Sequence, residues 1–385
     1  MAKFVKKERE EWVENAKRME KECKERVQNI AENYVRDPST IAEAVAFGSK
    51  FHNYSVKNNQ LIYSQNPYAQ YVQSFPAWKK MGYSPKRGEK GLKIWVPVKT
   101  TFLNTGNNEW VKLSDATKEQ RDAYKQGKLE SRVSTLFKLG TVFDIAQTTY
   151  PPEKYPELFS VGYPSEMHED ICKGLIDFAQ DYVHYDVNIQ DLSSITLRGY
   201  CSHIEKMITI NSSLKDTQKL STMAHELGHA IRHNMPNNFS THRKELEADA
   251  LSIMIESNYG LQLTDARKEH LVEHYNAYKE ELAETLADEF NEEALQENIN
   301  EVLSSVFGTY SNIIEDLDHC VEKYVSHERL LEYQQEHGVE LKQQEQQEQD
   351  KTMEIEHSLE RDKNLDNTMI VQENAYNMDD VELSM

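Results

Sequence analysis

Two histidines and a glutamate in the stretch His225-Glu226-Leu227-Gly228-His229 have the types and spacing that metal chemistry needs. On a helix that turns ~100° per residue, residues four apart lie about 40° apart, so both imidazoles can reach one ion. Glu226 follows the first histidine directly and is therefore placed to act on a metal-bound water instead of on the metal. The spacing predicts a helical metal site with a general base beside it.

The H-E-x-x-H pattern is typical of zinc proteases, but a catalytic zinc ion usually has three protein ligands and a water. A third ligand is expected on the next helical segment, residues 244–251, where Glu245 and Asp249 share one face. We predict that Glu245 completes the ligand set with His225 and His229. Asp249 is then placed to accept a hydrogen bond from the outer ring nitrogen of a ligand histidine.

Three neighbouring side chains are rivals for the metal. Glu247 projects ~200° away from Glu245 on the same helix, so both carboxylates cannot serve one ion. His233 and His242 are rival ligands, but we expect each of them to be a surface histidine near the cleft. Glu226 remains the predicted catalytic base, and Zn²⁺ the predicted cofactor.

Apolar stripes on both helical segments indicate how the elements that carry these residues pack. The stripe of the first segment centres on the side opposite the histidines and contains Leu220, Ala224, Leu227 and Ile231. The stripe of the second contains Leu246, Ala250 and Ile253. Strand-like segments at 197–200 and 206–211 precede them, and residues 265–335 are predicted to be helical with a core stripe of Leu303, Val306, Tyr310, Ile313 and Leu317.

Residues 195–255 resemble the ImmA/IrrE family of gluzincin metallopeptidases. The resemblance is carried, in order, by the strand-like segment 207–211, by His225-Glu226-x-x-His229 and by Glu245-x-x-Ala248-Asp249. It implies peptide-bond hydrolysis at a zinc ion. It also implies that residues 207–211 form the sheet edge along which a peptide would lie.

Length, cysteine usage and the absence of apolar runs bound the class of protein. At 385 residues, two or three domains are expected. The four cysteines have no paired spacing and are interpreted as free thiols in a reducing compartment. The charged first residues exclude a secretion signal, and no apolar stretch is long enough to span a membrane. We therefore expect a cytoplasmic protein.

The net charge of −21 conceals a basic front and an acidic end. Residues 281–385 carry 28 Asp and Glu against 6 Lys and Arg, which leaves the first 280 residues at +1. Residues 50–100 hold nine Lys and Arg and a single acid, Glu89, and nine aromatic residues lie between Phe51 and Trp95. Interleaved cations and aromatic rings are typical of surfaces that bind single-stranded nucleic acid, although Tyr and Trp are also ordinary core residues.

A series of motifs lies between residues 40 and 150: Phe51-x-Asn53-Tyr54-Ser55-x-x-Asn58, Gln65-x-Pro67-x-Ala69, Trp78, Gly88-Glu89-Lys90-Gly91 and Phe143-Asp144-Ile145-x-Gln147. Together they resemble the N-terminal domain of ArdC antirestriction proteins, a module also found in LtrC-like proteins of conjugative elements. The resemblance implies single-stranded DNA binding. The predicted DNA-binding residues are Tyr54, Asn58, Trp78, Lys79, Lys80, Lys86, Arg87 and Lys90.

We therefore expect an α+β protein with an ArdC-like N-terminal domain over 1–150 and a zincin-like α+β domain with a helical extension over 160–333. An acidic Gln/Glu-rich tail over 334–385 is expected to be disordered. A sharper hypothesis is that the tail competes with DNA for the basic surface. The predicted function is single-stranded DNA binding for a mobile element, combined with zinc-dependent cleavage of a protein substrate, without a membrane partner. The alternative is a non-enzymatic protein that coats and protects DNA, in which the zinc is structural.

Overall fold

The computed structural model describes residues 2–106, 109–152, 154, 167–193, 196–234 and 239–325. The helices are α1 (Ala2–Arg36), α2 (Ser39–Gly48), α3 (Val56–Gln65), α4 (Phe75–Lys80), α5 (Lys118–Lys125), α6 (His168–Phe178), α7 (Asp216–Arg232), α8 (Thr241–Asn258), α9 (Asp265–Leu286) and α10 (Glu292–Glu322). The strands are β1 (Val72–Ser74), β2 (Leu92–Asn104), β3 (Trp110–Lys112), β4 (Ser131–Asp144), β5 (Asp186–Gln190), β6 (Gly199–Ser202) and β7 (Met207–Asn211). The predicted α+β class is confirmed.

The first sheet is antiparallel, with the strand order β1-β4-β2-β3. Strands β2 and β4 form a long ribbon that runs from the pair Leu92–Val142 to the pair Leu103–Ser131. The two strands are long because each supplies the backbone partners of the other along this length. The segment that connects them contains β3 and α5.

One face of this sheet packs on the helices that precede it. The buried cluster consists of Phe47, Phe51, Ile62, Ala69, Val72, Leu92, Ile94 and Val142. Burying an aliphatic or aromatic side chain stabilises a fold by about 1.5–3 kcal/mol, so this cluster fixes α2 and α3 against the ribbon. A smaller cluster at the end of β4 is formed by Trp78, Ile145 and Tyr150.

Helix α3 satisfies the backbone of the first half of β2 on the side that faces away from β4, where no described strand pairs with it. The side-chain amide of Asn58 donates to the carbonyl oxygen of Trp95 (2.9 Å) and accepts from its N–H (2.8 Å). Two turns further along the same face of α3, the side-chain amide of Gln65 makes the corresponding pair of hydrogen bonds with Lys93, at 2.9 and 2.8 Å. Two carboxamides therefore make the hydrogen bonds that a paired strand would make.

The second sheet has the order β5-β7-β6, with β7 parallel to β5 and antiparallel to β6. The prediction that residues 207–211 form the sheet edge is wrong, because β7 is the central strand. Its residues from Ile208 to Asn211 are all buried, and its backbone is paired on both sides. Within the part of the chain that the structure describes, β6 and β5 are the outer strands of this sheet.

Helices α7 and α8 lie side by side, and α9 and α10 pack against α8. A Cβ added at Gly228 of α7 would lie 3.2 Å from the Cα and the carbonyl oxygen of Ala248, so the glycine permits this close approach. In α10 the predicted core stripe holds at Leu303, Val306, Tyr310 and Leu317, but Ile314 is buried instead of Ile313. Ile313 and Ile314 lie on opposite edges of the stripe, and the neighbouring elements cover Ile314 more fully.

The N-terminal helices pack directly on helices that follow the second sheet. Helix α2 contacts α8 and α9, and the Lys268 ammonium lies 2.7 Å from the Glu43 carboxylate. The Tyr310 hydroxyl donates to the carbonyl oxygen of Ser49 at 3.5 Å. Residues Met1–Val325 form one compact unit, and the boundaries predicted between 150 and 160 and at 333 stay a prediction.

The predicted tail over 334–385 lies outside the described residues. All four cysteines lie inside them and are free thiols, as predicted. Among the helices described, none is both long enough and apolar enough to cross a bilayer.

Candidate functional site

The predicted metal ligands come together on α7 and α8. Helix α7 buries Leu220, Ala224 and Leu227 completely, whereas the side chains of His225 and His229 on its opposite face stay partly exposed. Helix α8 begins after Ser240, whose side chain accepts a hydrogen bond from the N–H of Arg243. This cap fixes the first turn of α8 and with it the position of Glu245.

The three candidate ligand atoms form a nearly equilateral triangle. The Nε2 atoms of His225 and His229 are 3.2 Å apart, and Glu245 Oε2 lies 3.4 Å from the first and 3.3 Å from the second. Metal–ligand bonds of about 2.0–2.1 Å in a tetrahedral site place ligand atoms roughly 3.3–3.4 Å apart. The triangle therefore has the dimensions of three corners of such a site, and the donors suit a divalent ion.

The outer nitrogen of His225 is held by the predicted partner. His225 Nδ1 lies 3.0 Å from Asp249 Oδ1, and the Asp249 side chain is fully buried. Burial alone would lower the pKa of His225, but the carboxylates of Asp249 and Glu245 outweigh it and raise that pKa to about 10. A bound cation would replace this proton, since metal ligands must be deprotonated.

A second hydrogen-bonded chain holds the outer nitrogen of His229. His229 Nδ1 lies 3.0 Å from His233 Nδ1, and His233 Nε2 lies 3.3 Å from Glu247 Oε2. The prediction that His233 is a surface histidine is wrong, since only 4% of it is exposed. Burial lowers the pKa of His233, so its neutral ring donates to Glu247 and accepts from His229. His229 Nε2 is then left with its lone pair towards the triangle.

Glu247 is itself fixed by two arginines. It is fully buried, lies 2.7 Å from Arg232 and 3.0 Å from Arg243, and has its pKa lowered to about 2 because these partners and His233 outweigh the effect of burial. The guanidinium of Arg232 also donates to Ser305 on α10. Sequence reasoning excluded Glu247 from the metal but missed this network. The signal was present in the sequence, because Arg243 stands four residues before Glu247.

Glu226 lies beside the triangle and has little exposure, at 8%. Burial raises the pKa of its carboxyl group, and His225 and His229 oppose the increase. The thiol of Cys201 on β6 has its pKa raised to about 12, by burial first and then by the nearby Glu226 carboxylate. The edge strand β6 therefore borders the site, while His242, the other rival ligand, is exposed on α8.

The predicted DNA-binding residues divide into a buried and an exposed group. Trp78 is completely buried and donates its indole N–H to the carbonyl oxygen of Phe143, so its assignment to a DNA-binding surface is corrected to a core role. Asn58 is also buried, and both its amide atoms are used on β2. Tyr54 is half-buried and donates to the carbonyl oxygen of Val72.

The exposed group is cationic and is placed on α4 and the loop that follows it. Its members are Lys79, Lys80, Lys86, Arg87 and Lys90. Lys86 also donates to the carbonyl oxygen of Ala146, at 3.0 Å. Two aromatic side chains that were not predicted are exposed nearby in sequence: Tyr68 at 69% and Phe75 at 46%, the latter with the Lys79 ammonium 5.7 Å from its ring centre.

Comparison with known proteins gives two family matches. Residues 6–143 match the N-terminal domain of the anti-restriction factor ArdC, and residues 180–299 match the IrrE N-terminal-like domain of the M78 peptidase family. Both predicted resemblances are confirmed. The ArdC-like match contains α2, α3 and the first sheet, and the IrrE-like match contains the whole metal triangle on α7 and α8.

A curated relative and two solved structures are similar to this ArdC- and IrrE-like chain. An uncharacterized protein of Bacillus anthracis is 28% identical over 280 residues, which are 68% of this chain and 47% of that protein. The chain thus spans less than half the length of this relative. Crystal structures of the antirestriction protein ArdC from plasmid R388 match at 16% identity: the metal-free form with a TM-score of 0.41 over 70% of this chain and 85% of that one, and the Mn(II)-bound form with 0.38 over 69% and 83%.

Proposed function

We propose that residues on α7 and α8 form a zinc-dependent peptidase site, with His225, His229 and Glu245 as ligands. The observation that supports this most is the ligand triangle, whose sides of 3.2, 3.3 and 3.4 Å need no rearrangement to fit a tetrahedral ion. Two nitrogen donors and one carboxylate oxygen are a donor set that zinc accepts in hydrolases. When bound, the ion would polarise a peptide carbonyl and make a water acidic.

The side chains of the site supply the remaining parts of the reaction. Glu226 would accept the proton of the attacking water. It is placed to do so because it follows the ligand His225 directly in the sequence. Asp249 and His233 hold the two ligand rings so that both Nε2 lone pairs point to the centre of the triangle. Among the strands that the structure describes, β6 pairs only with β7, so an extended peptide would add to its other side as a further strand.

Substitution of the base tests the reaction separately from the metal. We expect Glu226→Gln to bind zinc like the parent protein, as measured by elemental analysis, and to lose cleavage of a mixture of fluorogenic peptides by at least ~10²-fold. Glu245→Gln should also lose the ion that is held by His225, His229 and Glu245. His242→Ala, which changes an exposed histidine on the same helix, should alter neither. A parent protein that binds zinc but cleaves none of the peptides would instead support the non-enzymatic alternative with a structural metal.

We further propose that the ArdC-like region binds single-stranded DNA through the exposed cations of α4 and its following loop. These cations would track phosphates while Phe75 and Tyr68 stack on unpaired bases, which is worth about 1–3 kcal/mol per base. Trp78 and Asn58 are excluded from this surface by their burial. The match to the N-terminal domain of the anti-restriction factor ArdC supports a role in which the chain binds DNA of an incoming mobile element.

Fluorescence anisotropy with a labelled oligothymidine tests this surface. We expect Lys79→Ala combined with Lys80→Ala to weaken binding and to reduce its salt dependence, because fewer counterions are released. Phe75→Ala should weaken binding with little change in salt dependence. Lys118→Ala, which changes an exposed lysine on α5, is the matched control. Equal affinity of all variants for the oligonucleotide would contradict the proposed surface.

A further inference from the structure

A second group of metal-binding side chains lies behind the candidate zinc triangle, between α8 and α9. His270 and His274 are four residues apart on α9 and both face the buried carboxylate of Asp249. His270 Nδ1 lies 2.8 Å and His274 Nε2 3.9 Å from Asp249 Oδ2. One ligand atom from each residue falls within 4.8 Å of the other two.

The two oxygens of Asp249 face different neighbours. Oδ1 lies 3.0 Å from His225 Nδ1 and 3.4 Å from the Arg267 guanidinium, whereas Oδ2 faces only the two histidines of α9 among these groups. Arg267 is held away from Oδ2 by Glu256, at 3.0 Å, and by Ser252. A cation at Oδ2 would therefore displace neither the orienting bond to His225 nor the arginine.

We propose that Asp249, His270 and His274 form a second divalent-cation site, separate from the triangle of His225, His229 and Glu245. Two imidazole nitrogens and one carboxylate oxygen suit Zn²⁺, Co²⁺ or Ni²⁺ better than Mg²⁺ or Ca²⁺, which prefer oxygen ligands. The site stands whether or not the first site cleaves peptides, since it depends only on metal binding.

The geometry also ranks the two sites. Separations of 2.8 and 3.9 Å depart from the roughly 3.3–3.4 Å expected in a tetrahedral site, whereas the first triangle matches that spacing on all sides. The His270 side chain is 46% exposed, so its ring can move by the few tenths of an ångström required. The second site is therefore less preorganised, and its ion should bind more weakly and leave first.

Metal titration of the full chain tests the proposal. Protein stripped with a chelator is titrated with Co²⁺, and both calorimetry and the visible absorption of tetrahedral cobalt are followed. We expect two ions per chain, the second at least ~10-fold weaker, and we expect brief treatment with a chelator to remove only that ion. A parent protein that saturates at one ion would overturn the proposal.

Variants assign the weaker ion to its ligands. His274→Ala should bind one Co²⁺ with the affinity of the stronger parent site. His270→Gln should also bind one Co²⁺ with that affinity. Because the His270 side chain is half-exposed, this variant should fold even if His274→Ala does not, and it can then serve as the test. His242→Ala is the matched control and should still bind two ions. A second ion that persists in both α9 variants would place it elsewhere and overturn the assignment.

Discussion

The two candidate ligand histidines differ in how their outer nitrogens are held. His225 is held directly by a buried carboxylate, whereas His229 is held through His233 and then Glu247. Because His233 is neutral and donates to Glu247, it can only accept from His229. A substitution of His233 or Glu247 should therefore change the affinity of the site for its metal ion.

We expect His233→Ala and Glu247→Gln to weaken zinc binding by about 10- to 100-fold, the usual effect of removing a group that orients a metal ligand. Competition with a chromophoric chelator measures this affinity. His242→Ala should have no effect. Because Glu247 also pairs with two buried arginines, Glu247→Gln should lower the melting temperature of metal-free protein, whereas His233→Ala should lower it less. Unchanged zinc affinity in both variants would remove His233 from the orienting chain.

Asp318 on α10 gives a pH-dependent prediction outside the metal site. Burial raises the pKa of its carboxyl group to about 6, and the hydrogen bonds from Tyr259 (2.8 Å) and Asn258 (3.1 Å) only partly offset burial. The folded state therefore binds this proton more tightly than the unfolded state. Its destabilising effect is absent below about pH 4, grows as the pH rises to about 6, and is complete above that.

Asp318→Asn should raise the free energy of unfolding at pH 7.5 by up to roughly 3 kcal/mol, since one pKa unit is worth about 1.4 kcal/mol. The asparagine oxygen can still accept both hydrogen bonds. Urea unfolding at a series of pH values measures the effect, and the difference from the parent protein should shrink below pH 5. Asp316→Asn, an exposed neighbour, serves as control. A variant less stable than the parent at pH 7.5 would contradict the prediction.

Sequence reasoning predicted a ligand set whose members lie together in the structure, because helical geometry fixes which residues four apart share a face. By the same rule it placed Asp249 behind one of the two histidines, and in the structure that histidine is His225. It misplaced His233 and Trp78, because spacing along one helix does not show what another element covers. The indole of Trp78 is buried by Tyr150 and Phe143, whose strand and turn begin far along the chain.

At the scale of elements, the distance between α7 and α8 decides whether Glu245 can reach both histidines. Gly228 lies within the H-E-x-x-H turn and faces the backbone of Ala248. The sequence did not predict this contact. Periodicity shows where each helix and strand lies along the chain, but the distance between two helices depends on how their side chains pack. Periodicity correctly predicted β7 as a strand, whereas its placement at the sheet edge was what the family resemblance implied and is wrong.

We expect Gly228→Ala to weaken zinc binding, because the added methyl group lies 3.2 Å from the Ala248 backbone and pushes α8 outward by a few tenths of an ångström. Gly308→Ala on α10 is the matched control, since a Cβ there meets nothing within 4 Å. That control should stabilise the protein by about 0.5–1 kcal/mol through helix propensity and leave zinc affinity unchanged. Equal zinc affinity in both variants would show that Gly228 does not set the helix separation.

At the scale of the whole molecule, the ArdC-like helices and the metal-binding helices share one compact unit. Helix α2 packs on α8 and α9, and the ion pair of Glu43 with Lys268 crosses the same contact. The length and the motifs predicted separate N-terminal and zincin-like domains, but they do not show which apolar faces meet. A ligand that binds only the metal site should therefore stabilise the N-terminal helices as well.

Hydrogen exchange measured with and without zinc tests this coupling. We expect zinc at 100 times its Kd to raise the free energy of unfolding by about 2.7 kcal/mol and to slow exchange of α2 amides together with those of α7 and α8. Glu245→Gln combined with His270→Gln, which removes a ligand from each candidate site, should abolish both effects. Protection confined to α7 and α8, with α2 unaffected, would show that the two regions open independently.

The carboxamides of Asn58 and Gln65 also determine where this chain can be cut. A fragment that begins after α3 would leave the N–H and carbonyl groups of Lys93 and Trp95 bare on one side of the ribbon. An edge strand with unpaired N–H and carbonyl groups can form backbone hydrogen bonds with a strand of a second copy. We therefore expect such a fragment to self-associate through β-strand pairing. A fragment that starts before Val56 keeps α3, whose Asn58 and Gln65 occupy these backbone groups, and should stay monomeric.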